Sequence, residues 1–388
     1  EQIGEVVLEN NWSSYITYAR NINPSKSEVI KIGNKVDLYL HGVETRIFDN
    51  HCLSSKSATE DLIYRIKKIK PDIIHLHHLH GYFINIELLF GYLQESNIPV
   101  VWTFHDCWSF TGHCVHFDFV GCEKWKTECH HCEQKNEYPA SLIFDRSKQN
   151  YIDKKRIFNS IRNLTIVSVS KWLAGKVNES FLKNHDSRMI YNGVDLDKFY
   201  PMESRKKIDE FYETNNKFLI LGVATTWDNR KRFQDFIELS NFLDDTFIIF
   251  LVGLSKSQLW SLPKNVIGIE RTESQDELCE LYSASDLFLN LSVEETFGLT
   301  TAEALACGVP AVVYNSTACP ELVTENTGFI VEKHNISELC EIINTAKTNG
   351  KKFYTNACRN RAVALFDKKK RFLDYLNLYN EILNKSEK

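Results

Sequence analysis

The sequence predicts an α/β protein with two doubly wound domains, and three observations support this prediction. Short apolar runs alternate with amphipathic stretches along the chain, a pattern typical of parallel sheets covered by helices on both faces. The alternation begins afresh after the turn signal Asn192-Gly193. The length of 388 residues exceeds one ordinary core and suits two domains. We therefore predict an N-terminal domain over 1–195 and a second domain over 196–370.

The N-terminal domain shows the alternation from its first tens of residues. Strands are predicted over 73–76, 100–104, 165–169 and 189–191, and helices over 86–96 and 171–182. The first ten residues have the pattern of a helix tail, followed by a strand over 14–19. A doubly wound domain normally opens with a strand, a loop and then a helix. We therefore expect the first strand of this domain and its loop to be absent from the sequence.

The second domain repeats the same pattern with more strands. Predicted strands cover 218–223, 247–252, 266–269, 287–291, 311–314 and 329–331, and predicted helices cover 233–243, 276–283, 300–306 and 336–348. Residues 205–216 are polar and predict a linker or a loosely packed segment. A final helix lies within 371–388, far from the last strand, and we expect it to pack back on the N-terminal domain.

Composition and charge exclude several classes of protein. The chain is 43% hydrophobic and 25% charged, as in ordinary soluble domains. Its net charge of −5 gives no electrostatic footprint for nucleic acid. No apolar run approaches the roughly 20 residues that span a bilayer. Six of the eleven cysteines are scattered along the chain, which indicates reduced thiols in a cytoplasmic protein.

The segment from Ser292 to Pro310 carries the strongest chemical signal. A strand ends near Leu291, a glycine-containing loop follows, and a helix begins near Thr300, so unpaired N–H groups at that helix start form an anion site. Glu295 lies in the loop and Glu303 lies one turn into the helix. Carboxylates beside a phosphate site are suited to accept hydrogen bonds from ribose and sugar hydroxyls. The alternative, two solvated charges favoured by the helix dipole, does not account for the glycines and proline in register with them.

This segment resembles the signature of retaining GT-B glycosyltransferases of family 4. The resemblance rests on Glu295-x7-Glu303 and extends over nearly the whole chain, through Thr103-Phe-His-Asp106, Val169-Ser-Lys171, Tyr191-Asn-Gly-Val-Asp195 and Ala284-Ser-Asp-Leu-Phe-Leu289. The stretch from His105 through Cys132 is similar to a subgroup associated with colanic-acid and capsular polysaccharide assembly. The resemblance implies two Rossmann-like domains that face each other across a cleft.

The resemblance also implies roles for individual residues. Glu303 would hold the ribose hydroxyls, and Glu295 would contact hydroxyls of the donor sugar. The backbone amides around Phe297, Gly298 and Leu299 would meet the diphosphate or the sugar. His105 matches a histidine that reaches the reacting sugar from the first domain, although a buried histidine at a strand end is the alternative. Recognition of the base is expected near residues 269–272, which include Arg271.

The basic partner of the diphosphate departs from the family pattern. Lys231 matches the family lysine, but Thr225 or Thr226 stands where an arginine is usual, and Arg232 replaces a glycine. Arg230 is therefore expected to substitute for the missing arginine. The alternative is a solvated helix start, although like charges there would oppose the helix dipole.

The implied reaction uses no catalytic metal. Lys231, Arg230 and helix amides would stabilise the developing phosphate charge while the acceptor attacks the same face of the sugar. Asp195-Leu-Asp197 has the form of a metal motif from another glycosyltransferase fold, and we interpret it as chance. The expected donor is a UDP- or GDP-sugar and the expected acceptor is a lipid-linked saccharide, used at the inner face of the plasma membrane by a peripheral protein. A sugar-nucleotide epimerase or a catalytically silent binder on the same fold is the alternative.

Four crowded cysteines predict a structural zinc site. Cys114, Cys122, Cys129 and Cys132 include one C-x2-C pair, and four thiolates can close a tetrahedral zinc site. Reduced core thiols and a redox pair are the alternatives. A zinc ion here would staple the fold and would take no part in the reaction.

Overall fold

The computed structural model describes residues 2–202 and 205–386, which divide into two compact units. Unit 1 comprises Glu1–Ile190 together with Phe372–Lys388, and unit 2 comprises Tyr191–Arg371. Every strand pairing in the three sheets is parallel. The predicted α/β class with two domains of parallel strands is therefore confirmed.

Unit 1 alternates strands and helices as the sequence predicts, with several elements that lack a clear apolar period. In chain order its elements are α1 (Gln2–Glu9), β1 (Tyr15–Tyr18), β2 (Glu28–Lys31), α2 (Lys35–Phe48), α3 (Lys56–Ile69), β3 (Ile74–Leu76), α4 (Ile86–Ser96), β4 (Val100–Phe104), α5 (Ser147–Phe158), β5 (Leu164–Ser168), α6 (Lys171–Glu179) and β6 (Asp186–Met189). Strands β3, β4, β5 and β6 form one sheet in that order. All residues of β4 and β5 are buried, as expected for central strands with helices on both faces.

Strands β1 and β2 form a separate two-stranded sheet. A cavity of about 690 Å³ is lined by residues of β1 and β3 and by apolar side chains of α1 and α3. The separation of β1 and β2 from the sheet that begins with β3 lies where the sequence predicts that an opening strand is absent. That absence stays a prediction.

The end of the chain completes the core of unit 1. Residues from Phe372 onward belong to this unit, and Tyr375, Leu376, Leu378 and Tyr379 are buried in one cluster with side chains of β4, β5 and α1. Tyr379 Oη lies 2.5 Å from Nδ1 of His75, the middle residue of β3, which ties the helix to the sheet.

Unit 2 contains a six-stranded sheet. Its elements are α7 (Lys206–Tyr212), β7 (Phe218–Val223), α8 (Phe233–Ser240), β8 (Phe247–Val252), α9 (Lys256–Leu259), β9 (Val266–Ile269), α10 (Gln275–Ala284), β10 (Leu287–Asn290), α11 (Leu299–Ala306), β11 (Ala311–Tyr314), β12 (Gly328–Val331), α12 (Ile336–Asn349), α13 (Lys351–Leu365) and the start of α14 (Lys368–Ser386). The strand order is β12-β11-β10-β7-β8-β9. The chain proceeds from β7 in one direction through β8 to β9 and then returns to the other side of β7 with β10. The crevice at this reversal, at the carboxyl ends of β7 and β10, is where ligands bind in doubly wound sheets.

Two predicted elements differ from the structure. The segment 205–216, predicted as a linker, contains helix α7, which buries Ile208 and is held by Arg205 through Asp209 and Asp286. The strand predicted over 189–191 is found earlier, as β6. Among the residues that the structure describes, no helix has the length and apolar content of a membrane span.

Candidate functional site

The loops after β7 and β10 are joined through their backbones at the reversal of strand order. The Val293 amide donates a hydrogen bond to the Arg230 carbonyl over 2.9 Å. Lys231 and Glu295 therefore belong to two adjoining loops at one edge of the sheet. This placement agrees with the general position of ligand sites in such folds.

Gly298 allows the turn between β10 and α11. It has φ +96°, a backbone conformation that glycine adopts without steric cost, and a Cβ there would lie 2.9 Å from Leu322 Cδ1. Asn290, at the end of β10, donates a hydrogen bond to Thr301 Oγ1 over 3.0 Å and fixes the first turn of α11. The leading N–H groups of α11 have no acceptor within the helix and carry the positive end of its dipole. The loop thus presents an anion-binding helix start.

Glu295 is held by contacts to its backbone and its side chain. Its amide donates to Thr317 Oγ1 over 2.9 Å, and its carbonyl accepts from the Ala318 amide over 3.3 Å. Its carboxylate forms an ion pair with Lys231 Nζ, with both side chains largely buried. The predicted donor-sugar acceptor and the predicted phosphate-binding lysine therefore contact each other in unit 2.

The other two basic residues of this loop are each paired with a nearby carboxylate. Arg230 donates from Nε and Nη2 to Asp228 Oδ2, over 3.2 and 2.8 Å. Burial acts to raise the pKa of Asp228, but the bonds from Arg230 outweigh it and hold that pKa below its usual value. Arg232 has φ +57°, which explains why a glycine suits this position, and its guanidinium is paired with Asp235 over 2.7 Å.

Glu303 lies one turn into α11 and accepts a hydrogen bond from the Tyr282 hydroxyl over 3.0 Å. Burial raises the pKa of Glu303 to about 7, although the bond from Tyr282 acts in the opposite direction. Burial and the neighbouring carboxylate raise the pKa of Tyr282 well above its usual value, so its hydroxyl remains a donor. Glu303 is thus a carboxyl group that changes charge near neutral pH.

The remaining predicted residues of unit 2 occupy different environments. The Phe297 ring is buried against Tyr191 and Phe366, so it anchors the loop and leaves only its backbone for a ligand. The Leu299 side chain is exposed, and Arg271 is exposed after β9 at the edge of the sheet. The two carboxylates of Asp195-Leu-Asp197 bind Lys368 and Lys369, which gives them a structural partner each.

His105 follows β4 in unit 1 and belongs to a cluster of histidines. Its Nε2 lies 3.1 Å from His77 Nδ1, and its ring stacks on that of His78 with centroids 4.7 Å apart. Burial and the neighbouring His78 lower the pKa of His105 to about 4. The imidazole is therefore neutral at neutral pH and can accept or donate one hydrogen bond from each ring nitrogen.

Asp106, the residue after His105, orders the other side of this cluster. Its Oδ2 lies 2.7 Å from His80 Nε2 and 3.6 Å from His78 Nδ1, and its Oδ1 accepts from the Trp108 amide over 2.9 Å. Burial acts to raise the pKa of Asp106, but the bonds from His78 and His80 prevail and hold it far below its usual value.

The four crowded cysteines are all free thiols in unit 1. The Cys114 and Cys132 side chains are hydrogen-bonded to each other, which raises the pKa of Cys114 and lowers that of Cys132 to about 7. The Gly112 amide donates to Cys129 Sγ over 3.2 Å. Within the part of the chain that the structure describes, the side chains whose potential metal ligands all lie within 4.8 Å of one another are His78, His80 and Asp106. Zinc at the four cysteines stays a prediction.

Sequence analysis missed several residues that hold the site. Tyr282 is separated from Glu303 by a strand and a loop, and nothing in its own segment distinguishes it from a core tyrosine. Thr317 supports Glu295 from the loop after β11. The histidine-rich run His75-Leu-His-His-Leu-His80 was visible as a composition signal and could have indicated the cluster around His105.

Two family models match nearly the whole chain. Residues 17–198 match the model described as Glycosyltransferase Family 4, and residues 202–362 match the model described as Glycosyl transferases group 1. Among curated proteins, the chain is 26% identical over 288 residues to WcaC of Escherichia coli K12, which is named as a colanic acid biosynthesis glycosyl transferase; the match covers 70% of this chain and 67% of WcaC. It is 24% identical over 323 residues to an uncharacterized 41.2 kDa protein in the cps region of Klebsiella pneumoniae, covering 82% and 81%.

Solved structures show the same fold. Sucrose-phosphate synthase from Thermosynechococcus elongatus aligns with a TM-score of 0.71 at 17% identity, covering 99% of this chain and 92% of that one. Anabaena Alr3699/HepE in complex with UDP aligns with a TM-score of 0.66 at 15% identity, covering 95% and 100%. The two family models match one after the other along the chain, and the sheets of both units are parallel. The chain is therefore a GT-B glycosyltransferase with a family 4 domain followed by a group 1 domain.

Proposed function

We propose that this glycosyltransferase moves a hexose from a UDP- or GDP-sugar to a lipid-linked saccharide with retention of configuration, in the assembly of a capsular or extracellular polysaccharide. The observation that carries the proposal is the ion pair between Lys231 and Glu295 beside the start of α11, with Glu303 one turn further on. The names of the two curated relatives, which refer to colanic acid and to a cps region, support the polysaccharide context.

The ion pair suggests how the donor enters the site. The diphosphate replaces Glu295 as the partner of Lys231, since a phosphate group and a carboxylate compete for the same ammonium. Glu295 is then released to accept hydrogen bonds from the sugar hydroxyls. Glu303 accepts from the ribose hydroxyls while the N–H groups at the start of α11 meet the phosphates.

In the transfer step, the bond between the anomeric carbon and the diphosphate oxygen breaks, and a bond from the acceptor oxygen forms on the same face. The acceptor proton passes to the departing diphosphate. Lys231 and the helix start stabilise the charge that develops on that diphosphate, which is the largest single contribution expected in such a reaction. Arg230 contributes less, because Asp228 already binds its guanidinium.

A thermal-shift screen against UDP, GDP, ADP and their hexose conjugates tests the donor class. Saturating ligand at about 100 times its Kd stabilises the folded state by roughly 2.7 kcal/mol, which is readily measured. One base should be preferred over the others. No stabilisation by any nucleoside diphosphate would contradict the proposal.

The configuration of the new glycosidic bond is tested by incubation of the preferred donor with lipid-linked saccharides at a vesicle surface, followed by NMR of the product. An anomeric configuration equal to that of the donor supports retention, and the opposite configuration contradicts it. Donor turnover to an isomeric sugar nucleotide in the absence of acceptor would instead identify an epimerase.

A further inference from the structure

A second ligand site is suggested by the histidines that follow β3. Strands β3 and β4 are parallel neighbours, so their carboxyl ends lie at the same edge of the sheet. His78 and His80 follow β3, and Asp106 follows β4, which brings the three side chains together in unit 1. Their nearest ligand atoms are His78 Nδ1, His80 Nε2 and Asp106 Oδ2.

The separations among these three atoms are close to those of ligands around one metal ion. His78 Nδ1 lies 3.3 Å from His80 Nε2 and 3.6 Å from Asp106 Oδ2, and the latter two atoms are 2.7 Å apart. Nitrogen and oxygen ligands bind zinc at about 2.0–2.2 Å, which at tetrahedral or octahedral angles places neighbouring ligands roughly 3–3.5 Å apart. To bind one ion, the exposed His78 side chain must therefore move slightly closer, and His80 Nε2 and Asp106 Oδ2, now at hydrogen-bond distance, must move slightly apart.

Asp106 and His80 are also held in orientation by hydrogen bonds at the atoms that face away from the proposed ion, as metal ligands usually are. The Trp108 amide donates to Asp106 Oδ1 over 2.9 Å and leaves Oδ2 directed at the histidines. Tyr138 Oη lies 3.3 Å from His80 Nδ1, the nitrogen on the opposite side of the ring. The Tyr138 hydroxyl donates its proton to the His80 carbonyl, so it accepts from Nδ1–H, which favours the tautomer in which Nε2 carries the lone pair.

We propose that His78, His80 and Asp106 bind one divalent transition-metal ion of the zinc type through two imidazole nitrogens and one carboxylate. Two histidines and a carboxylate on one side of an ion leave its other positions for water or for an oxygen of a ligand. The site is distinct from the four cysteines, because its donors are nitrogen and oxygen and its ligands follow β3 and β4. It also goes beyond the proposed transfer reaction, in which the charge of the leaving group is balanced by Lys231 and helix amides.

Metal binding here would constrain His105. The His78 ring stacks on the His105 ring, and His105 is the next residue to Asp106 in the chain. An ion bound by His78 and Asp106 therefore holds both the ring that stacks on His105 and the residue that follows His105 in the chain. The competing interpretation is a metal-free network in which His80 donates its Nε2 proton to Asp106.

Cobalt(II) titration of the full chain, purified without a histidine tag, distinguishes these interpretations. Calorimetry gives the affinity, and visible absorption reports the ligand field of cobalt. The test variants are H78A and D106N. The His78 side chain is 56% exposed to solvent, so its removal leaves the fold intact. H185A is the control, since His185 lies in the same unit and its Nε2 lies 3.1 Å from Oδ1 of the exposed Asn159, not in the histidine cluster.

The expected result is one cobalt per chain at this site, with affinity reduced at least about 10-fold in H78A and D106N and unchanged in H185A. Cobalt bound by cysteine thiolates would give charge-transfer bands in the near ultraviolet that persist in H78A, so the difference between wild type and H78A isolates the histidine site. Equal cobalt affinity and equal spectra in wild type, H78A and D106N would overturn the proposal, as would a wild-type protein that binds no cobalt.

Discussion

The Tyr282 hydroxyl donates a hydrogen bond to Glu303 Oε2 over 3.0 Å and so fixes the carboxyl group proposed to bind the ribose. This contact joins α10 to the first turns of α11. It leaves Glu303 in a buried environment where its pKa lies near 7. The first two predictions follow from this relationship.

Replacement of Glu303 by alanine should weaken binding of the preferred nucleoside diphosphate by about 1.5–3 kcal/mol, because the ribose hydroxyls lose a charged acceptor. Affinity of the wild type should also decline as the pH falls below 7, where the carboxyl group becomes protonated. Calorimetry at pH 6 and pH 8 measures both effects. The E303Q variant is the control, since it should lose the part of the pH dependence that belongs to Glu303. An unchanged affinity in E303A would remove Glu303 from the site.

The same raised pKa predicts how stability depends on pH in the absence of ligand. The folded pKa of Glu303 is about 7 and its unperturbed value is 4.5, so between these values the folded state binds more protons than the unfolded state. The free energy of unfolding therefore falls as the pH rises from 4.5 to 7. E303Q carries no charge and should gain about 1–3 kcal/mol relative to wild type over this window. Urea unfolding of both proteins at pH 5 and pH 8 measures the difference, and equal offsets at both pH values would refute the assignment.

The ion pair of Lys231 with Glu295 predicts different kinetic effects for its two members. Replacement of Glu295 by alanine should depress kcat without weakening the affinity for the nucleoside diphosphate, because the sugar loses its acceptor while Lys231 is released from its ion pair. Replacement of Lys231 by alanine should lower both turnover and diphosphate affinity. Removal of Arg230 should have a smaller effect than removal of Lys231, because Asp228 already binds Arg230.

Steady-state kinetics and UDP or GDP calorimetry on the three variants test this ranking. Asn229→Ala serves as the matched control, since Asn229 is exposed in the same loop and has no role in the proposed site. A larger loss of turnover and diphosphate affinity in R230A than in K231A would show that Arg230, and not Lys231, is the main partner of the diphosphate.

The four cysteines predict one zinc per chain at a second, sulfur-rich position. Cys132 has a pKa lowered to about 7, and a thiol with such a pKa gives the thiolate that zinc requires. Elemental analysis of protein purified without a metal-affinity tag should find this zinc, and chelation should lower Tm. Replacement of both Cys129 and Cys132 by serine should lower the zinc content by one ion per chain, whereas C340S, in unit 2, should not. An unchanged zinc content after the double replacement would exclude the cysteines as ligands.

The sequence predicted the strand, loop and helix start around Glu295 because their signal is local. Glycine, glutamate and proline at fixed spacing around a strand end and a helix start identify the segment from Leu291 to Pro310 without knowledge of any other part of the chain. Tyr282 and Thr317 could not be found in this way, because each acts through one contact that exists only after the sheet has formed.

The incorrect secondary-structure predictions have a similar physical origin. Strand β6 pairs with β5 along one side and has no fully buried residue, so it lacks the apolar run that marks a central strand. Helix α7 buries only Ile208, and its ion pairs with the rest of unit 2 carry no periodic signal. Local polarity at both positions predicted irregular structure, and tertiary contacts determined the result.

The passage of the chain end into unit 1 has a consequence for synthesis on the ribosome. Tyr379 reaches back 304 residues to His75, so unit 1 cannot bury this cluster until α14 has emerged from the ribosome. Unit 2 is contiguous from Tyr191 to Arg371 and can complete its core earlier. Domains usually mature in the order of translation. Here unit 1 begins before unit 2 and is completed after it, so its nascent strands keep apolar surface uncovered until α14 has been translated.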